Sequence, residues 1–179
     1  MMKRICYTLL AFATATIMNA QDQVRVVTNV VKNATPAWKI WKAAECGMNY
    51  PGSWTVTPGM GDTMVVFQSA GVAERATVTL SAKPLSGITP TQFHLVNGPA
   101  QFANSTDTRV IDESGPDASG AYSFSYVTAV NGAPLWQRQD VLITDGKAYT
   151  ITYRADEHSY AENLYMAEAM INSFSATAP

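Results

Sequence analysis

The sequence predicts an α+β domain built on an antiparallel β-sheet with two helices packed on its faces. Three observations favour this class: strand-like runs separated by two-residue turns, a helix start at Thr89, and helical spacing of apolar residues near the end. Because successive strands are joined by short turns, the sheet is expected to be antiparallel.

The first twenty residues indicate an export signal. Residues 1–4 form a short positive head, residues 5–18 an apolar run, and Ala20 is the small residue that a signal peptidase accepts. The run is about 14 residues, shorter than the roughly 20 of a membrane-spanning helix. We expect cleavage after Ala20, a periplasmic or secreted product, and no membrane insertion.

Length and charge limit the organisation and the partners. Besides the signal peptide at 1–20, we predict a leader at 21–37 with room for one edge strand, and a single domain at 38–179. The whole chain has a net charge of −2, and the signal removes Lys3 and Arg4, so the mature chain is more acidic. The sequence shows no basic cluster, which argues against nucleic acid as a partner.

Two cysteines occur, and only Cys46 lies beyond the signal. The mature chain therefore has no intramolecular disulfide, and Cys46, in an apolar stretch, is expected to be a buried and unreactive thiol. Cys6 lies too early in the signal to be an acylated cysteine, so we predict no lipid anchor.

Strand and turn signals fill the first half of the domain. We expect a strand within residues 44–54, ended by the corner Tyr50-Pro51-Gly52, and then neighbouring strands at Thr63–Gln68 and 76–83. The glycine-rich loop at 59–62 lacks the lysine of a phosphate-binding loop, so it is interpreted as a hairpin connection.

The middle of the chain holds the first helix. Thr89 is placed to cap it, Pro90 suits the first helical position, and Gln92 completes a capping box. Asn97-Gly98 ends the helix. Residues 104–120 are rich in turn formers and are predicted to be a long loop with one short extended piece at 109–111.

The last third predicts a three-stranded meander closed by a helix. Asn131-Gly132 and Asp145-Gly146 are dipeptides typical of type I′ hairpin turns. The flanking runs alternate aromatic residues: Tyr122, Phe124 and Tyr126 in the first, and Tyr149, Ile151 and Tyr153 in the third. Residues 159–174 carry Tyr160, Leu164, Ala167, Ile171 and Phe174 on one helical face, with Ser159 and Glu162 as a capping box.

Several motifs in this order resemble the PsbP-like family over residues 38–174. They are Trp38, the corner at 50–54, the glycine-led strand at 120–126, the run at 145–153, and the closing residues 171–174. The resemblance implies an antiparallel sheet sandwiched by helices (α/β/α) and a non-enzymatic binding module without a cofactor. The family includes an extrinsic subunit of photosystem II, a nuclear protein that binds a small GTPase, and exported bacterial proteins. The simple secretory signal gives no reason to expect photosynthesis.

Candidate catalytic and metal-binding residues are few. His94 lies inside the first helix, where a structural role is expected. His158, with Asp156, Glu157 and Glu162, offers a cluster that could hold a cation or serve an enzyme. The alternative is an acid-rich helix start favoured by the helix dipole, and we expect this alternative. No Gly-x-Ser-x-Gly elbow occurs, so we predict no catalytic, cofactor or metal site, and no enzyme.

Trp136 and Arg138 are the predicted partner contacts. They follow the Asn131-Gly132 turn on one side of their strand and could form a stacked contact patch, or a simple packing pair. The sequence thus favours an exported protein-binding module that acts in the cell envelope or outside the cell, with an unknown protein partner. The alternative is a small-molecule or lipid carrier with an apolar pocket between sheet and helix.

Overall fold

The structure is a computed structural model that describes residues 36–71 and 76–176. The predicted signal peptide and nearly all of the predicted leader lie outside the described residues. The strands are β1 (Trp38–Lys42), β2 (Gly47–Pro51), β3 (Thr55–Pro58), β4 (Thr63–Gln68), β5 (Thr77–Pro84), β6 (Thr108–Ser114), β7 (Tyr122–Val130), β8 (Ala133–Thr144) and β9 (Lys147–Asp156). The α-helices are α1 (Pro90–Asn97), which a 3-10 turn (Pro99–Phe102) follows, and α2 (Glu157–Asn172).

Seven of the strands form one antiparallel sheet in the order β3-β4-β5-β9-β8-β7-β6. The hairpin β1-β2 forms a separate two-stranded sheet. β5 pairs with β9 although α1 and three strands lie between them in the chain. The predicted class, an α+β fold with an antiparallel sheet and two helices, is confirmed.

The predicted meander is β7-β8-β9, and its two turns have the expected geometry. Asn131 and Gly132 have φ values of 52° and 80°, and Asp145 and Gly146 have values of 51° and 70°. Both central residues of each turn are thus left-handed, as a type I′ turn requires. The turn chemistry therefore fixes the register of all three strands.

Helix α1 begins at the predicted capping box. The Thr89 hydroxyl accepts a hydrogen bond from the Gln92 backbone N–H at 3.2 Å, and the Gln92 side chain accepts one from the Thr89 N–H at 2.8 Å. The helix ends at Asn97, as predicted. Local side-chain chemistry alone is sufficient to define this element.

The sheet has a hydrophobic cluster on each face. Along β9, Ala148 belongs to one cluster and Tyr149 to the other, so the clusters lie on opposite faces. We call the face of Tyr149 the front face and the face of Ala148 the back face. The front cluster includes Met48, Phe67, Leu80, Ile151, Tyr153, Ala167 and Met170. The back cluster includes Leu85, Phe93, Tyr122, Phe124, Tyr126 and Val141.

Each helix contributes to one of the clusters. Ala167 and Met170 of α2 pack in the front cluster, and Phe93 of α1 packs in the back cluster. α1 is only eight residues long, and back-face residues such as Gln137 and Thr152 remain half-exposed. Helical cover of the back face is therefore partial.

The predicted start of the closing helix is wrong. α2 begins at Glu157, and its N-cap is Asp156 instead of Ser159. The Asp156 carboxylate accepts from the Ser159 backbone N–H at 2.8 Å and from its hydroxyl at 3.0 Å. A carboxylate can satisfy both donors and is favoured at the positive end of the helix dipole, so it displaces serine from the cap.

The buried face of α2 also differs from the predicted one. Its fully buried residues are Ser159, Asn163, Ala167 and Met170, while Tyr160 and Leu164 pack at the side of the cluster. The polar members are satisfied internally, since the Asn163 amide donates to the Ser159 carbonyl at 2.9 Å. Apolar periodicity alone could not show this, because two of the buried residues are polar.

Two strands exceed the prediction. β6 runs from Thr108 to Ser114, where the sequence analysis expects a loop with a short extended piece, and β1 was not predicted as a strand. β6 is the outermost strand of the sheet, with a register shift between Val110 and Asp112. Its polar sequence reflects exposure at an edge, where apolar alternation is weak.

The cap of α2 gives a testable stability effect. Replacing Asp156 by alanine is expected to lower the free energy of unfolding by about 1 kcal/mol at neutral pH. Hydrogen bonds from the Ser159 backbone and hydroxyl hold the pKa of Asp156 below its ordinary value of 3.8. Because the native-state pKa is the lower one, this stabilisation is present above that ordinary value and is lost as pH falls through the native pKa.

Urea denaturation at neutral and acidic pH measures the effect. Asp156→Asn is the matched control, since it keeps an acceptor at the cap and cannot titrate. An alanine variant as stable as the parent at neutral pH would contradict the assignment of the cap.

Candidate functional site

A groove of about 410 Å³ opens on the front face between the sheet and the end of α2. This volume lies in the range of small-ligand sites, about 300–1,000 Å³. Its lining comes from the β6–β7 connection, the middle of the sheet and the end of α2. The lining residues are Ser114, Gly115, Asp117, Ala121, Tyr122, Ser123, Asp140, Val141, Leu142, Ile151, Ile171 and Phe174.

One side of the groove is apolar. Leu142 and Ile151 come from the neighbouring strands β8 and β9, and Ile171 and Phe174 come from the end of α2. The ring of Phe174 packs against Tyr149, with centroids 5.4 Å apart. This side presents aliphatic and aromatic surface to an incoming group.

The helical wall is held in place by β2. The Ser173 hydroxyl accepts a hydrogen bond from the Asn49 backbone N–H at 2.9 Å, and Ser175 exchanges backbone hydrogen bonds with Gly47. These bonds fix the segment that carries Phe174. The apolar wall is thus part of the folded structure.

The opposite wall is polar and is fixed by Asp117. Its carboxylate accepts from the Ser119 hydroxyl at 2.7 Å, the Ser119 N–H at 2.8 Å and the Ala121 N–H at 3.0 Å. These hydrogen bonds, led by that of the Ser119 hydroxyl, lower the pKa of Asp117. Near neutral pH the wall therefore carries a fixed negative charge.

Asp140 joins the groove to the predicted contact residue Arg138. The Arg138 guanidinium donates to both oxygens of Asp140, at 2.9 and 3.1 Å, and to Glu168 of α2 at 2.9 Å. The hydrogen bonds to Asp140 raise the pKa of Arg138 further. This ion-pair group ties β8 to α2 directly beside the groove.

Trp136 lies two positions before Arg138 and faces the same helix. Its ring packs against Tyr160, with centroids 5.7 Å apart, and it is half-buried. The two side chains share the front face of β8, but the hydrogen bonds of Arg138 go to Asp140 and Glu168. Their role as partner contacts remains a prediction, and both also join α2 to the sheet.

His94, Cys46 and His158 are the other candidate residues that the sequence offers, and none of them lines the groove. His94 packs edge-on against Tyr122, with centroids 4.5 Å apart. Burial raises the pKa of the fully buried Cys46 thiol. His158 is exposed and lies near Glu162, with Nε2 to Oε1 at 3.2 Å.

The less favoured interpretation, in which His158 and its acidic neighbours hold a cation, has no support in the geometry. Asp156 is occupied as the cap of α2. In the ranges 36–71 and 76–176, no group of three or more His, Cys, Asp or Glu side chains is arranged to hold a metal ion. The described residues also include no helix long and apolar enough to cross a membrane.

Sequence reasoning missed the groove as a unit. Its walls come from β7, β8, β9 and α2, and the motifs at 120–126, 145–153 and 171–174 each contribute lining residues without indicating that they meet in one groove. Ser123 and Asp140 are neighbours through strand pairing, which no local motif shows. The signal present in the sequence was the occurrence of polar residues such as Ser123 and Asp140 within the largely apolar strands of the meander.

Comparison with known proteins identifies the fold. No protein-family model matches the sequence, and a search of curated proteins finds no similar sequence. Among solved structures, cyanobacterial PsbP from Synechocystis matches with a TM-score of 0.55 and 16% identity, over 81% of this chain and 95% of that one.

Two further bacterial structures share the architecture. LpqN of Mycobacterium tuberculosis, described as involved in cell envelope biogenesis, has a TM-score of 0.52 and 14% identity, over 82% of this chain and 87% of that one. PA94 of Pseudomonas aeruginosa, a putative regulator, has a TM-score of 0.50 and 12% identity, over 76% and 94%. The chain therefore has a PsbP-like fold, as its motifs predict. At these identities the likeness shows the fold alone.

Proposed function

We propose that the chain is an exported, envelope-associated protein, periplasmic or secreted, that binds another protein and catalyses no reaction. The observation that carries this proposal is the preformed groove on the front face. The secretory signal in the sequence supports export, and the fold shared with LpqN supports a role in the envelope.

The chemistry of the groove favours binding over catalysis. Asp117 accepts three hydrogen bonds, and Asp140 is paired with Arg138 through both oxygens. A general acid or base needs a carboxyl group whose pKa lies near the working pH and whose oxygen is free to reach substrate. Hydrogen bonds lower the pKa of Asp117, and both oxygens of Asp140 accept from Arg138, so neither carboxylate is suited to this role.

We also propose that helices cover both faces of the sheet, which is the α/β/α sandwich that the family resemblance implies. Phe93 of α1 and Met170 of α2 pack in clusters on opposite faces, which supports it.

Site-specific photo-crosslinking tests the proposal. A benzophenone amino acid replaces Ser114, which is exposed and lines the groove. The control position is Thr57, which is equally exposed but lies on β3 at the far edge of the sheet. In the native cell we expect one reproducible adduct from position 114 and none from position 57. Equal or absent labelling at both positions would refute protein binding at the groove.

Arg138 provides a second test of the same surface. Arg138→Lys keeps the positive charge but loses the paired hydrogen bonds to Asp140, so it is expected to reduce the adduct from position 114. Arg154→Lys is the control, because Arg154 is exposed and pairs in register with the back-face residue Gln137. The companion variant Trp136→Ala is expected to reduce the adduct if Trp136 contacts the partner. Circular dichroism checks that each variant remains folded.

The groove also supports the alternative function of a small-molecule or lipid carrier. Its apolar side lies between sheet and helix, as that alternative requires, and its volume suits a small ligand. Native mass spectrometry of the protein purified from its own cell distinguishes the two. A retained ligand mass, together with no adduct at position 114, would favour the carrier.

A further inference from the structure

We infer that the groove on the front face receives a large apolar side chain of the partner protein, flanked in that partner by lysine or arginine. This inference rests on the proposed function and specifies the chemistry of the partner. It follows from the apolar side of the groove and from the charge around it.

The apolar side gives the anchor. Leu142, Ile151, Ile171 and Phe174 form one continuous surface between the sheet and α2. The groove is open to solvent and measures about 410 Å³, which accommodates one or two side chains. Burial of a large aromatic side chain is strongly favourable, and aromatic anchors are enriched at the centres of protein interfaces.

The surrounding charge selects the residues beside the anchor. None of the described lining residues is lysine, arginine or histidine, while Asp117 and Asp140 both line the groove. Glu168 lies next to it, bonded to Arg138. Arg138 is shared between two carboxylates, so the group of three keeps a net negative charge.

Asp112 adds a further carboxylate to the same side. It pairs in register with Ser125, which pairs with Arg138, so it lies on the front face. The next residue, Glu113, pairs with Phe124 and lies on the back face. Both are exposed. Arg109 of the same strand pairs with Val127, which pairs with Trp136, so this exposed guanidinium also lies on the front face. Four carboxylates against two guanidinium groups still leave the surroundings of the groove with a net negative charge.

Basic residues on either side of the anchor would complement the negative charge around the groove. Lysine or arginine beside the anchor would meet the excess of carboxylates, whereas acidic neighbours would be repelled. Such steering mainly affects association and specificity, and it weakens with added salt.

Short peptides test the inference directly. The probe has one phenylalanine between pairs of lysines, and the two controls replace the lysines by glutamates or the phenylalanine by serine. Titration into the isotope-labelled chain, followed by amide NMR, is expected to shift signals of Ser123, Asp140 and Phe174 with the lysine–phenylalanine peptide. The glutamate control should bind more than about tenfold weaker, and the serine control should lose the shifts at Phe174.

A matched pair of variants tests the charge. Asp112→Asn and Glu113→Gln remove one negative charge each from adjacent residues on opposite faces of β6. Asp112→Asn is expected to weaken the probe about two- to fivefold, while Glu113→Gln leaves it unchanged. Equal effects of both variants would show only long-range attraction and would overturn the inference.

Other outcomes separate the inference from the proposed function. If the adduct at position 114 contains a partner segment without basic residues, the inference fails and protein binding stands. If no adduct forms at position 114, protein binding at the groove fails and the inference fails with it, even where the probe shifts the groove signals. Sedimentation that shows dimers whose formation the probe peptide blocks would identify a second copy of this chain as the occupant of the groove and overturn the inference.

Discussion

Tyr153→Ala is expected to lower the free energy of unfolding by about 3–5 kcal/mol, the usual cost of removing a large buried aromatic side chain. Tyr153 is fully buried in the front cluster, and its ring stacks on Tyr160 with centroids 4.8 Å apart. The substitution therefore leaves a cavity between β9 and α2. Urea denaturation followed by tryptophan fluorescence measures the change.

The hydroxyl of Tyr153 contributes separately. It lies 2.9 Å from the Tyr160 carbonyl and 3.2 Å from that of Ser159, and it donates its hydrogen to the first turn of α2. Tyr153→Phe removes only this bond and is expected to cost about 1 kcal/mol. The control for a non-specific aromatic effect is Tyr165→Ala, since Tyr165 lies on the same helix and is 60% exposed. A similar loss for both alanine variants would contradict the assigned core.

Gly120→Ala is expected to lower the free energy of unfolding by about 2–4 kcal/mol, the sum of left-handed backbone strain and overpacking. Gly120 has φ of +85°, and an added Cβ would lie 2.5 Å from the Cβ of Pro90. Gly120 lies two residues before β7 begins. The start of α1 can approach the sheet closely there only because Gly120 has no side chain. Thermal and urea denaturation give the magnitude.

Gly132 separates the two contributions. It has φ of +80°, and an added Cβ there would have no neighbour within 4 Å. Gly132→Ala thus carries the backbone strain alone, about 1–2 kcal/mol. The prediction fails if Gly120→Ala is no more destabilising than this control, since the contact with Pro90 would then be unimportant.

The parts of the fold that the sequence predicts correctly are those determined by neighbouring residues. Thr89 and Gln92, three positions apart, cap α1, and Asp145 and Gly146 adopt the two left-handed conformations of their own turn. Such elements need no knowledge of the rest of the chain.

The errors arise where distant segments decide the outcome. Asp156 and Ser159 are both good capping residues, and the pairing of β9 up to Asp156 settles which of them begins α2. β6 becomes a strand because β7 provides hydrogen-bonding partners, although its own sequence is typical of a loop. Side chains such as Asp140 enter the groove only through the order of strands, which periodicity cannot specify.

The link between β2 and the end of α2 has a consequence for folding kinetics. Asn49 and Ser173 are 124 positions apart in the chain, and the hydrogen bond between them ties the C-terminal end of α2 to one of the earliest strands. Chains dominated by such long-range contacts fold slowly, because much loop entropy is lost before the contacts form. A nascent chain cannot complete this core until α2 has been synthesised, so β2 must wait for its partner while the whole stretch from β3 to α2 is made.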